Sequence, residues 1–124
     1  MRTAFSLLSF AVALAGCALP REGRATDWAS IQLKGKKLSL IDDTRQETYS
    51  FVDKGVVTAS IGTKDGPLTA PLYYWTVKSN TLVISKLPNQ QVVEALTAPR
   101  LQGDVISANR KSGARVQYRL STIR

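Results

Sequence analysis

Leu72-Tyr73-Tyr74-Trp75-Thr76-Val77-Lys78 is followed by Ser79-Asn80 and then by Thr81-Leu82-Val83-Ile84-Ser85-Lys86. Both runs are dense in aromatic and β-branched residues, which suit a pleated, half-buried surface. In the first run Tyr73, Trp75 and Val77 fall on one face, because successive side chains of a strand point to opposite sides. Ser79-Asn80 carries turn chemistry. The stretch predicts two antiparallel strands joined by a tight hairpin.

The same reading extends in both directions. Lys37 to Asp42 alternates, with Leu38 and Leu40 together. Asp42-Asp43-Thr44-Arg45 has no apolar residue and reads as a turn. Glu47 to Asp53 places Tyr49 and Phe51 on one face, and Lys54-Gly55 reads as a tight turn. Val56 to Ile61 puts Val57, Ala59 and Ile61 on one side. Leu101 to Asn109 and Arg115 to Thr122 predict a last hairpin across Lys111-Ser112-Gly113. Two stretches read differently. Trp28 to Leu33 is a first strand or a helical turn begun by Thr26 or Asp27. Asn89 to Leu96, bracketed by Pro88 and Pro99, reads as a short helix with Val92, Val93 and Leu96 inward, or as irregular structure. The expected fold is all-β: a small antiparallel up-and-down barrel or half-barrel of about seven or eight strands, with a short helix near 89–96. Leu33-Lys34-Gly35-Lys36, Tyr74-Trp75-Thr76 and Leu101-Gln102-Gly103-Asp104 give this architecture a faint resemblance to the lipocalins, with no lipocalin signature complete. That resemblance is one of architecture.

Composition narrows the chemistry. The chain has 124 residues, room for one domain, and its 44% hydrophobic and 21% charged content is that of a globular protein. It has no histidine and one cysteine. Histidine-based catalytic triads, histidine-ligated metals, intramolecular disulfides and cysteine-cage clusters are therefore excluded. No cofactor is expected, and no catalytic or metal-binding residue stands out.

The first residues read as targeting. Arg2 precedes an apolar run from Ala4 to Leu14, which is too short to remain a membrane span. Leu14-Ala15-Gly16-Cys17 resembles the lipobox of bacterial lipoproteins. The resemblance covers residues 1 to 17. It implies a signal peptide over 1–16, cleavage before Cys17, and lipid (palmitate included) on that cysteine. Ala18 follows where an aspartate signals inner-membrane retention. The implied location is the periplasmic face of the outer membrane in a Gram-negative source, and otherwise the outer face of the plasma membrane. Residues 17–27, with Pro20 and Gly23, read as a tether, leaving 28–124 as a single β-domain.

Two groups of side chains stand out for binding. Tyr49, Phe51, Tyr73, Trp75 and Tyr118 all fall on inward positions, where they either line a pocket for a small apolar ligand or fill the core. The carboxylates Asp42, Asp43 and Glu47 read as a solvated turn cluster. The formal net charge is +8, and Arg110, Lys111, Arg115 and Arg119 crowd the last strands. Lys34, Lys36 and Lys37 form a second group. A basic face on an exported protein points to a membrane held through the lipid anchor, and to an envelope protein or an anionic lipid or glycan, not to nucleic acid. The leading expectation is a non-enzymatic, lipid-anchored envelope protein. The others are a lipocalin-like carrier and a periplasmic inhibitor of a lytic enzyme, a class whose paired cysteines are missing here.

Overall fold

The computed structural model describes residues 23–123, so Cys17 and the signal segment lie outside the described residues. The chain opens with β1 (Arg24–Ala25) and a single helical turn, α1 (Trp28–Ile31). Nine strands follow: β2 (Lys36–Leu40), β3 (Arg45–Phe51), β4 (Val56–Thr63), β5 (Leu68–Thr69), β6 (Leu72–Lys78), β7 (Thr81–Leu87), β8 (Gln90–Gln102), β9 (Val105–Asn109) and β10 (Arg115–Thr122). All pairings are antiparallel. The circuit β2-β3-β4-β6-β7-β8-β9-β10 closes on itself through the β10–β2 pair, giving an eight-stranded up-and-down barrel. Closure leaves no open edge along the circuit. The two-residue strands β1 and β5 pair with β8 and β4 outside it.

Tight turns set the register. Lys54 and Gly55 have φ of +64° and +72°, and Ser79 and Asn80 have φ of +48° and +57°. Ser79-Asn80 makes a two-residue hairpin between Lys78 and Thr81, and Lys54 and Gly55 end a three-residue loop closed by the Val52 N–H on the Val56 carbonyl at 2.9 Å. Between β2 and β3, Asp42 Oδ2 accepts the backbone N–H of Thr44 (3.0 Å) and Arg45 (2.7 Å). These two bonds to the ionised form hold the Asp42 carboxyl below its usual range.

The alternation read from the sequence is the alternation observed on most strands. On β3, Glu47, Tyr49 and Phe51 are buried. On β10, Tyr118 is buried and Val116 and Leu120 are half-buried, while Arg115, Gln117 and Arg119 are exposed. Leu38, Phe51, Val57, Leu82, Ile84, Leu96, Ile106 and Tyr118 have no accessible surface. No water-sized void touches them from inside or out, so the middle of the barrel is packed solid, as expected for eight strands. Trp28 lies against this layer at one end, its indole N–H donating to the Leu96 carbonyl at 3.0 Å.

Two expectations are corrected. Residues 89–96 are not a helix but the start of β8, paired with β7. Val92, Val93 and Leu96 imitate a helical stripe because the register slips by one residue where Ile84 and Ser85 meet β8. A bulge breaks the period of two and disguises a strand. Pro88 sits in the turn beside Asn89 (φ +62°), and Pro99 sits at a second register shift beside Ala98 (φ +50°), where no ladder N–H is required. Leu101 to Asn109 is two strands, since Gly103-Asp104 turns the chain between β8 and β9. Of the two readings open for Trp28 to Leu33, the helical turn is the one observed, over Trp28–Ile31.

Residues just before Trp28 also touch the barrel. Arg24 and Ala25 pair with Leu101 and Arg100 on the flank of β8 beyond its last partner in β7. Arg100 Nε donates to the Gly23 carbonyl at 3.1 Å, and Thr26 N donates to the Pro99 carbonyl at 3.0 Å. Asn80 Oδ1 accepts Trp28 N at 2.9 Å. Gly23 (φ +87°) lies so close to β8 that a Cβ there would stand 2.5 Å from the Leu101 carbonyl.

Candidate functional site

The barrel has two ends. The entry end holds Gly23 and the turns at 52–55, 79–80 and 103–104. The far end holds the turns at 41–44, 88–89 and 110–114, with the β5 excursion between β4 and β6. At the far end the apolar interior gives way to ions.

Glu47 and Glu94 project inward from β3 and β8, which are diametrically opposed in the circuit. Arg110, just beyond β9, reaches between them. Its Nη2 lies 2.9 Å from Glu47 Oε1 and 2.8 Å from Glu94 Oε2, and its Nε donates to Glu94 Oε2 at 2.9 Å. One guanidinium therefore ties opposite walls of the barrel together. The side chains are 2% exposed for Glu47, 8% for Glu94 and 13% for Arg110. Burial by itself disfavours the charge on Arg110, but Tyr118 and the bonded Glu47 and Glu94 carboxylates outweigh it and hold its pKa above the ordinary arginine value.

Glu47 is further saturated. Tyr118 Oη donates to Oε1 at 3.0 Å, Tyr49 Oη donates to Oε1 at 3.1 Å, and Arg45 Nη2 donates to Oε2 at 2.8 Å. The two phenol rings pack at 6.3 Å with a 59° tilt. Desolvation, and then the negative charge of Glu47, push both phenols far above the usual tyrosine pKa. Glu94 accepts the backbone N–H of Lys111 (2.8 Å) and of Ala95 (3.1 Å). Buried charges persist only when paired and hydrogen-bonded, and here both carboxylates are. With Arg110, Arg45 and two phenols on it, Glu47 keeps no lone pair directed at a substrate proton. The cluster acts as an ionic plug that closes the far end, much as Trp28 closes the entry end.

The aromatic side chains singled out for ligand binding come together as one interior wall. Tyr49, Phe51 and Tyr118 are fully enclosed. Tyr73 and Trp75 are half-buried, and the Phe51 and Trp75 rings meet edge-on at 5.2 Å. The basic residues do not come together. Arg110 turns inward to the plug. Arg119 pairs with Asp104 at 3.0 Å. Arg115 donates to the Ala98 carbonyl, Asn109 Oδ1 and Ser107 Oγ at 3.0–3.1 Å. Lys111 reaches the Val92 carbonyl at 3.3 Å.

The plug itself escaped the sequence reading. By sequence Glu47 groups with the turn aspartates, although it shares the alternating face of Tyr49 and Phe51, and that alternation is the available signal. Glu94 was hidden by the bulge, and its union with Arg110 joins positions 16 residues apart. Open clefts of about 350 and 540 Å³ flank Arg45 and Arg110 on the outer surface. No protein-family model, no curated protein and no solved structure matches the chain.

Proposed function

We propose that this chain is a non-enzymatic lipoprotein of the bacterial cell envelope, held at a membrane through Cys17, whose barrel offers a basic outer surface to an anionic envelope component. The observation that carries this reading is the filled interior: eight core side chains with no accessible surface leave recognition to the outside of the barrel. Two further features support it. Leu14-Ala15-Gly16-Cys17 has the form of a lipobox, and the formal charge is +8. The buried carboxylates of the plug are fully bonded, which suits a structural role better than acid–base work.

Palmitate labelling of the full chain expressed in bacteria tests the anchor. Label should enter the wild type and be absent from Cys17→Ser, which should also leave the membrane fraction. Equal labelling of both would refute the reading. A second reading, a carrier for a small apolar ligand, draws support from the half-buried Tyr73 and Trp75. The Trp75 indole N–H has no hydrogen-bond partner among the described residues. A saturable change in tryptophan fluorescence on adding a fatty acid, lost in Trp75→Phe, would favour the carrier.

A further inference from the structure

Charge is divided unequally between the two ends of the barrel. Arg24, Lys34, Lys54 and Lys78 stand exposed at the entry end, with Lys36 and Lys37 half-buried beside them. Arg100 and Arg119 add two more cations there. The carboxylates at that end are Asp27, Asp53 and Asp104, of which Asp53 pairs with Lys34 at 2.9 Å and Asp104 with Arg119. Among the described residues, eight cations thus face three anions at this end. At the far end Arg45, Lys64, Lys86, Arg110 and Lys111 are matched by Asp42, Asp43, Glu47, Asp65 and Glu94. With Arg115 added, that end has an excess of one. The exposed large apolar side chains, Ile41, Leu68, Leu72, Leu87 and Val92, also belong to the far end.

The route of the chain gives this asymmetry a direction. Gly23 is fixed to β8 at the level of the β8–β9 turn. Five residues lie between it and Cys17, so six steps of chain join the two. A chain of that length spans at most about 20 Å in any conformation. A lipid on Cys17 therefore holds the entry end within about 20 Å of the bilayer, whereas the far end is held only through the length of the barrel.

We infer that the barrel docks entry end down on the anionic headgroups of the membrane that holds its anchor, with Lys36, Lys37, Lys54 and Lys78 meeting the lipid phosphates and the apolar far rim turned away. This rests on the lipoprotein reading and specifies the anionic component as membrane lipid. Charges within a Debye length of such a surface, about 8 Å at physiological salt, feel its field, and those at the opposite end are screened from it.

The test uses the full lipidated chain reconstituted in vesicles of phosphatidylcholine, alone or with about one third phosphatidylglycerol. A dye is placed at Thr122→Cys on the entry end or Gln90→Cys on the far end, and a headgroup-linked quencher reads its distance from the bilayer. In anionic vesicles the dye at 122 should be quenched at least about threefold more than the dye at 90. The ratio should fall toward the neutral-vesicle value in about 0.5 M salt. It should fall likewise in the Lys36→Gln/Lys37→Gln/Lys54→Gln/Lys78→Gln variant, whose circular dichroism should be unchanged. Equal quenching at both ends, stronger quenching at 90, or a ratio indifferent to anionic lipid would each overturn the inference. Flotation with the vesicles in high salt separates the two ideas. A chain that does not float defeats the anchor, and one that floats without the contrast defeats only the orientation.

Discussion

Removing the guanidinium of Arg110 is the sharpest perturbation of this barrel. Arg110→Ala leaves Glu47 and Glu94, 2% and 8% exposed, on opposite walls with no cation between them. Glu47 retains Arg45, whose side chain is 53% exposed and so partly screened, and the two phenols. Glu94 retains only the backbone N–H groups of Ala95 and Lys111. Breaking a buried pair by deleting one partner typically costs about 3–5 kcal/mol, most of it the penalty of the charge left behind. That is a large share of the roughly 5–15 kcal/mol that holds a domain folded. Urea denaturation should show a lower midpoint with an unchanged slope. The loss should persist at high salt, because a buried pair is screened far less than a surface pair. The triple variant Glu47→Gln/Glu94→Gln/Arg110→Met should recover most of the loss, since an apolar or neutral replacement of the whole cluster strands no charge. A loss below about 1 kcal/mol, or one abolished by salt, would show the cluster to be solvated and refute the plug.

Three further outcomes follow from the same geometry. The raised Tyr49 and Tyr118 pKa values mean that their stabilising contribution is complete below about pH 10, the unfolded value, and is lost as pH rises above it. In an alkaline titration their tyrosinate absorbance should therefore rise together with the loss of β-sheet circular dichroism, and an earlier rise of all the tyrosines would contradict their burial. Trp28→Ala should lower stability by about 3–5 kcal/mol in urea, as large aromatic truncations in cores do, and an effect under about 1 kcal/mol would mean that the entry end is not sealed by this ring. Gly23→Ala should release β1 from β8, because the new methyl would collide with the Leu101 carbonyl. Amide exchange at Thr26, protected by Pro99 in the native chain, should accelerate with little change in the core.

The sequence by itself determined that the protein is a β-structure whose strands each present one apolar face. Alternation at Tyr49 and Phe51, at Tyr73, Trp75 and Val77, and at Val116, Tyr118 and Leu120 is a local property, readable because a strand repeats every two residues. Ser79-Asn80 and Lys54-Gly55 announced their hairpins for the same reason: a turn is decided by the few residues inside it. Only the tertiary structure decided the rest. Closure of β10 on β2 depends on how eight strands tilt and stagger together, which no single segment encodes. The bulges in β8 turned a strand into an apparent helix, because one added residue shifts the phase of everything beyond it. The ion plug is the clearest case. Glu47, Glu94 and Arg110 stand far apart in the chain and on opposite walls of the barrel, and each alone resembles an ordinary surface charge. Only folding brings them to one point, out of water, where their charges must be satisfied by one another.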